Sequence, residues 1–515
     1  MDLFFSNSRR IFFLIIACAF INVSSFSNLL AQISSPKREF RGAWLHVVGN
    51  QTIKTMLTDE VKAMFIKTLD SLLLSGCNAV IFQVRPQADA FYDSKIEPWS
   101  RFLTGEQGIA PVPYWDPLKF MIDEAHKRGM ELHAWCNPYR VTSNDEEILS
   151  KDHLFYKNPK IFVRYGKQLY FDPGEPESRR HVVKVISDIV KRYNVDAIHF
   201  DDYFYPYPIK GEEFNDNLSF KKYAKNQGFK SWQRGDWRRN NVELLIKEIN
   251  DSIKSIKPWV RFGISPFGIH RNLKDTPDGS GSNTNGLSNY DALFADVPAW
   301  ANKGYIDYIA PQLYWKIGHP AADYETLIKW WDKSNFKGQL YIGQNIDTFK
   351  ESDIDNPKTT QFGEKMRLVR VLENVDGNVW WPGWIIQKNP FGFADSLITK
   401  YQSNIALIPA YADIDSIAPS AVTSITKIGK KIEWTTDELE NEDPMQKVLF
   451  FAIYCFPQGI EPDISKSGYL IKITPDNYFK ISNNFKHHNK GCNIVVTVID
   501  RCWNESAPSK VLNIK

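Results

Sequence analysis

DAIHFDDYF, residues 196–204, is a short apolar run that breaks into two adjacent acids and then into aromatic residues. An uninterrupted apolar run of this length fits a parallel strand covered on both faces, because a strand with one wet face would alternate. Carboxylates at the end of such a strand must be paired, hydrogen-bonded or chemically employed, since an isolated buried charge is costly. The same plan recurs along the chain. FRGAWLHV (40–47), AVIFQVRP (79–86) and ELHAWCNPY (131–139) precede it; RFGISPFG (261–268), YIDYIAPQLYW (305–315), LYIGQNI (340–346) and GWIIQK (383–388) follow. Helical spacing of apolar residues fills 59–75, 116–127, 177–192, 242–256, 289–301 and 324–332, with Gly76, Gly129 and Gly304 placed where a helix must stop. Eight strands alternating with helices predict a closed (β/α)8 barrel of the TIM type over residues 37–410. An open doubly wound sheet would need a glycine-rich phosphate loop after the first strand, and that strand has none.

From about Ser416 the pattern changes to short strands and polar turns without helical spacing, which predicts a small all-β sandwich over 416–515. At the other end, Arg9 and Arg10 precede the apolar run 11–20, and SNLLAQ (27–32) offers a cleavage site after Ala31. This is the pattern of a secretory leader over residues 1–31, with acylation of Cys18 in LIIAC as the alternative. No later segment has the 18 or so apolar residues of a membrane span. The expected location is therefore beyond the inner membrane, periplasmic or lipid-anchored. With 63 basic and 60 acidic residues, the chain lacks the charge excess of a nucleic-acid binder. Its aromatic content is 14%, and flat rings suit the apolar C–H faces of sugars as well as a core. Cys77, Cys136, Cys455, Cys492 and Cys502 show no metal-like spacing; a disulfide of Cys492 with Cys455 or Cys502 is a possible pairing.

Reactive residues of barrel enzymes stand where strands end. The ends collect Arg41, Trp44 and His46; Gln83, Arg85 and Asp89; His133, Trp135, Asn137 and Arg140; His199, Asp201, Asp202, Tyr203 and Tyr205; then Ser265, and Gln312, Tyr314 and Trp315. Asp201 and Asp202 are the catalytic candidates, and strand alternation predicts that they face opposite ways. Glycoside hydrolysis needs two carboxyl groups, an acid for the leaving oxygen and a nucleophile or base. Besides Asp202, candidates for the partner are Asp89, Asp93, Glu97, Asp172 and Asp347. Arg41, Trp44, Gln83, Arg85, Asp89, Trp135, Asn137, Arg140, His199, Tyr203, Tyr205, Gln312, Tyr314 and Trp315 are read as substrate-binding. No metal or other cofactor is expected, although His46, His133 and His199 with Asp201 leave a metal-dependent deacetylase open as an alternative. A catalytically silent glycan-binding barrel is the other.

REFRGAW, FQVRPQADAFYDS, HAWCNPYR, YFDPGEPESRRHV, DAIHFDDYFYPY and DYIAPQLYW together resemble the glycosyl-hydrolase-like family 10 proteins, across residues 37–350. The resemblance implies a TIM-like barrel that hydrolyses glycan chains, with peptide-stripped peptidoglycan strands as the substrate linked to members. AIHFD is also similar to the nucleophile strand of α-amylase-type barrels, with His199 where an arginine would stand. VVTVIDRCWNESAPS (495–509) and Trp434 resemble fibronectin type III modules. The chain is thus expected to be a monomeric, exported glycoside hydrolase with a cell-wall polysaccharide as partner.

Overall fold

Burial on both faces makes the apolar runs into a ring of parallel strands. The computed structural model describes residues 35–334, 336–355, 361–481 and 491–514; the expected leader and Cys18 lie outside the described residues. The first ten strands are β1 (Phe40–Leu45), β2 (Ala79–Arg85), β3 (Glu131–Cys136), β4 (Phe162–Tyr165), β5 (Gln168–Phe171), β6 (Ala197–Phe200), β7 (Arg261–Ile264), β8 (Tyr308–Ile309), β9 (Gln339–Asn345) and β10 (Gly377–Trp381). Eight of them close a barrel in the order β1-β10-β9-β8-β7-β6-β3-β2, while β4 and β5 form a hairpin in the connection that follows β3. This is the TIM-like architecture, with helices such as Thr58–Leu74, Pro117–Lys127, Pro176–Arg192 and Arg234–Ile256 between strands. Local chemistry sets their ends. Asp116 caps Pro117–Lys127 by accepting from the backbone N–H of Leu118 and Lys119, and Gly129 just past its end has φ +71°.

Three elements differ from the sequence expectation. The eighth barrel strand is Gly377–Trp381, not 383–388, which forms a 3-10 helix. Two apolar runs adjoin here, and Pro382 between them lacks the N–H needed to continue a ladder, so the strand stops before it. Residues 289–301 split into the helices Asn289–Ala292 and Val297–Asn302, with Pro298 in the first turn of the second. Expected strand 305–315 contracts to Tyr308–Ile309, because Pro311 interrupts it.

Seven further strands lie in two antiparallel sheets among the described residues. They are β11 (Ser424–Ile428), β12 (Lys431–Thr435), β13 (Val448–Pro457), β14 (Leu470–Thr474), β15 (Tyr478–Lys480), β16 (Cys492–Asp500) and β17 (Leu512–Ile514). One sheet runs β11-β12-β15 and the other β14-β13-β16-β17. Strand β13 explains their placement. Phe451, Ile453 and Cys455 pack toward the three-stranded sheet, whereas Phe450, Ala452, Tyr454 and Phe456 join a cluster with Phe40, Ala79, Tyr308 and Tyr341 of the barrel interior. Period-2 alternation therefore buries both faces, one against its own sandwich and one against the barrel floor. Cys455, Cys492 and Cys502 are buried thiols outside any disulfide, so the expected disulfide is not formed; Cys455 and Cys492 are hydrogen-bonded neighbours. No helix among the described residues is long and apolar enough to cross a membrane.

Candidate active site

Where the strands end, a cleft of about 360 Å³ opens between Trp44, His46, Val48, Gln83, Trp135, Arg140, Asp201, Asp202, Tyr203, Tyr207, Ser265, Gln312, Tyr314 and Trp381. β6 ends at Phe200, so Asp201 and Asp202 stand on the loop just beyond it, where strand alternation no longer applies. Both line the same cleft, which corrects the expectation that they face opposite ways. They are only 3% and 2% exposed.

Each carboxyl has its own partners. Asp201 accepts the indole N–H of Trp135 at 3.0 Å and the amide N–H of Asn137 at 3.1 Å. Asn137 is held in turn by accepting the backbone N–H of Arg140 at 2.9 Å. Asp202 accepts the hydroxyl of Tyr207, and Gln312 adds a second polar contact. Burial pushes Asp201 up to about 7; the Asp202 charge adds to this, while Arg140 and the two N–H donors oppose it. Burial also raises Asp202, against the pull of Tyr207 and Arg140. Burial raises both carboxyls and the charge on Asp202 raises Asp201 further, so ionisation of one disfavours ionisation of the other. The Arg140 guanidinium lies 4.9 Å over the Tyr203 ring and supplies the nearby positive charge. His46 packs against Trp381 with the rings tilted and their centroids 4.5 Å apart, and burial drives its imidazole down to about 4.

Below the cleft runs a buried hydrogen-bond chain. Trp44 donates its indole N–H to Nε2 of His199 at 3.1 Å. An indole nitrogen only donates, so His199 accepts there and carries its proton on Nδ1, which donates to the Tyr308 hydroxyl at 2.9 Å. Tyr308 then gives its own proton to Nδ1 of His133 at 2.8 Å, and His133 donates from Nε2 to Glu131 at 2.8 Å. Glu131 also receives the guanidinium of Arg261 and the indole N–H of Trp503, which arrives from beyond β16. Every donor in this order points down the barrel toward one carboxylate. His133 and His199 are thus engaged, and among the described residues no three His, Cys, Asp or Glu side chains are placed to share a cation.

Several expected binding residues lie elsewhere. Arg41 sits at the opposite end of β1, paired with Glu39 and bonded to the Asn404 carbonyl. Arg85 turns back into a buried pair with Glu97, which His181 also contacts. Asp89 is buried with Gln107, and Tyr205 packs among Phe214, Phe294 and Arg238. Trp315 packs on Phe267, outside the cleft wall. Asn137 and His199 stand behind the wall, supporting Asp201 and Trp44. Trp44, Gln83, Trp135, Arg140, Tyr203, Gln312 and Tyr314 do line the cleft. Of the other partner candidates, Glu97 is in its ion pair, Asp172 holds Ser219 and the backbone of Gly174, Asp93 pairs with Lys95, and Asp347 is exposed. Val48, Tyr207 and Trp381 were not anticipated. Tyr207 was signalled by the aromatic run YFYPY itself; Trp381 was hidden by the misplaced eighth strand. A larger depression of about 590 Å³ at the barrel's other end contains Asp307 and Asp376, but these acids already bond Lys254 and backbone N–H groups.

A barrel with two buried carboxyls in an aromatic cleft has the groups that glycoside hydrolysis uses, and the chain belongs to the glycosyl hydrolase-like 10 family, whose profile matches residues 39–360. It is similar to the glycosyl hydrolase YngK of Bacillus subtilis (strain 168), 41% identical over 483 residues covering 92% of this chain and 93% of that protein. The glycosyl hydrolase DigH of Escherichia coli (strain K12) is 39% identical over 335 residues, covering 61% of this chain and 74% of that protein. Among solved structures, the catalytic domain of β-amylase from Paenibacillus polymyxa aligns with a TM-score of 0.48 and 9% identity, over 72% of this chain and 98% of that one.

Proposed function

We propose that this chain is an exported, endo-acting glycoside hydrolase of cell-wall polysaccharide, cutting peptidoglycan glycan strands freed of peptide. The observation that carries the reading is the Asp201–Asp202 pair, buried in a cleft walled by Trp44, Trp135, Tyr203, Tyr314 and Trp381. Aromatic faces bind the C–H faces of sugar rings, while the pair supplies one proton and one negative charge. Asp201, which burial holds protonated to about pH 7, is the acid for the leaving oxygen. Asp202 is the carboxylate. An open cleft suits attack within a chain. The basic and apolar leader at residues 1–31 supports export, and the two C-terminal sheets fit a fibronectin type III-like module beginning near 416.

The test is reducing-end release from intact peptidoglycan, amidase-stripped peptidoglycan and α-glucan by the native protein, Asp201→Asn and Asp202→Asn. Stripped strands should be cut fastest, and each variant should lose about 10²–10⁴-fold, the usual worth of a positioned acid or base. Full activity in both variants would show that the centre lies elsewhere.

A further inference from the structure

Glycoside cleavage through a double displacement needs an acid at the leaving oxygen and a nucleophile behind the anomeric carbon. In this cleft the second requirement has no protein group to meet it. Asp201 and Asp202 are consecutive, with Cα atoms about 3.8 Å apart, and both rise from the end of β6. In the closed ring of eight strands, β10 stands diametrically across from β6. That far wall presents Trp381 and, from beyond neighbouring β1, His46 and Val48; the remaining lining is likewise free of carboxylates among the described residues. Residues 335, 356–360 and 482–490 contain no Asp or Glu. The acids that might have crossed the mouth are committed to Arg85, Ser219 and Gln107.

We propose that the substrate brings its own nucleophile: the site cleaves glycosidic bonds of 2-acetamido sugars, with the acetamido oxygen attacking C1, Asp201 protonating the leaving oxygen and Asp202 holding the amide N–H. This rests on the glycosidase reading above, whose peptidoglycan strands are built of such sugars, and adds to it the identity of the nucleophile. In the first step the C1–O bond breaks, its electron pair leaves on the glycosidic oxygen, and that oxygen takes the Asp201 proton. The amide oxygen closes a five-membered ring onto C1, and the positive charge on the ring nitrogen is matched by Asp202. Water then adds to C1 and gives its proton to the Asp201 carboxylate, the ring opens, and the acetamido group is restored. Two inversions leave the configuration at C1 retained.

The surroundings suit that ring. Trp135 stands edge-on to Trp381 with centroids 6.1 Å apart, and with Trp44 they offer an apolar slot of the kind an acetyl methyl needs. The Tyr314 phenol lies near both carboxyls and can donate to the amide carbonyl oxygen. Asp202 is fixed by Tyr207 and Gln312, and its carboxylate keeps lone pairs beyond those two contacts that can accept an N–H without swinging.

The experiment uses the full-length protein and one glycan backbone in three forms: N-acetylated, N-trifluoroacetylated, and its 2-hydroxy counterpart. Fluorine weakens the amide oxygen as a nucleophile while changing its size little. Trifluoroacetylation should lower kcat about 100-fold, consistent with loss of nucleophilic participation, and the 2-hydroxy chain should be cut at least as poorly. A thiazoline derived from N-acetylglucosamine, which mimics the cyclised ring, should inhibit competitively, and NMR of fresh product should show the retained anomer. Comparable rates on all three chains, or an inverted product, would overturn the proposal and leave the glycosidase reading standing. No cleavage of any glycan would overturn both.

Discussion

Arg261→Met should destabilise the protein more than any other single change in the barrel floor. Glu131, at the start of β3, is fully buried and holds Arg261, Trp503 and His133. Of these, Arg261 supplies the formal charge. Breaking a buried, hydrogen-bonded pair by removing one partner costs about 3–5 kcal/mol, because the other charge stays in a dry site. The guanidinium also lies 4.5 Å over the Tyr411 ring, a contact worth about 0.5–2 kcal/mol. A loss near 5 kcal/mol is therefore expected from the variant. The double change Arg261→Met with Glu131→Gln removes both charges and should recover at least 2 kcal/mol of it, since uncharged replacements of a buried pair are often close to neutral. Urea unfolding followed by far-ultraviolet circular dichroism and tryptophan fluorescence, on all four members of the cycle, measures this. A loss under 1 kcal/mol for Arg261→Met, or a coupling near zero, would refute the reasoning.

Asp201→Asn should lose about 10²–10⁴-fold in activity yet be more stable than the native protein at high pH. The folded value of about 7 lies above the ordinary 3.8, so this group's stability contribution is complete below pH 4 and lost as pH rises through 7. Three pH units correspond to about 4 kcal/mol at most, so the variant should gain a few kcal/mol at pH 8 and nothing at pH 4; an equal gap at both pH values would contradict the burial argument. Tyr207→Phe removes a hydrogen bond that lowers Asp202, so the acid limb of the kcat/KM profile should move to higher pH, and an unmoved limb would remove Asp202 from the chemistry. Gly263→Ala places a methyl 1.9 Å from the Tyr308 ring, which the chain from Trp44 to Glu131 cannot spare. Overpacking costs about 1–3 kcal/mol, and both melting temperature and activity should fall; an unchanged melting temperature would mean that the ring moves freely.

The barrel was readable because a strand covered on both faces leaves a continuous apolar run, and β2, β3, β6 and β7 all do so. β10 was misread because Pro382 divides one apolar stretch into a strand and a 3-10 helix of similar composition. The hairpin of β4 and β5 was missed, although its turn carries Gly166 at φ +54°. In the site, residues on the last positions of a strand or just beyond it were placed well, as with Trp135, Asp201 and Gln312. Arg41 failed because it stands near the start of its strand, and Arg85 because a long side chain can turn away to a distant acid. The shared orientation of Asp201 and Asp202 depends on how the loop leaves β6, which side-chain alternation does not encode. Nor does any local pattern reveal that Trp503 reaches Glu131, a contact between positions 372 residues apart.

That contact has a consequence for biosynthesis. Trp503 adopts φ +64°, a strained left-handed conformation for a residue with a Cβ, and in it places its indole under the barrel. A ribosome makes the chain from one end, so the last barrel strand emerges before the residue that stops the floor. At about 5–20 residues per second, the roughly 120 residues between Trp381 and Trp503 take on the order of 10 s to make. For that interval Glu131 and Arg261 stand in an unfinished, water-accessible funnel. The ring of strands closes through β1 and β10, but its floor is a late-maturing part that waits on the final fragment of the polypeptide, and chains cut short before Trp503 should be handled by the cell as incomplete rather than as a shorter enzyme.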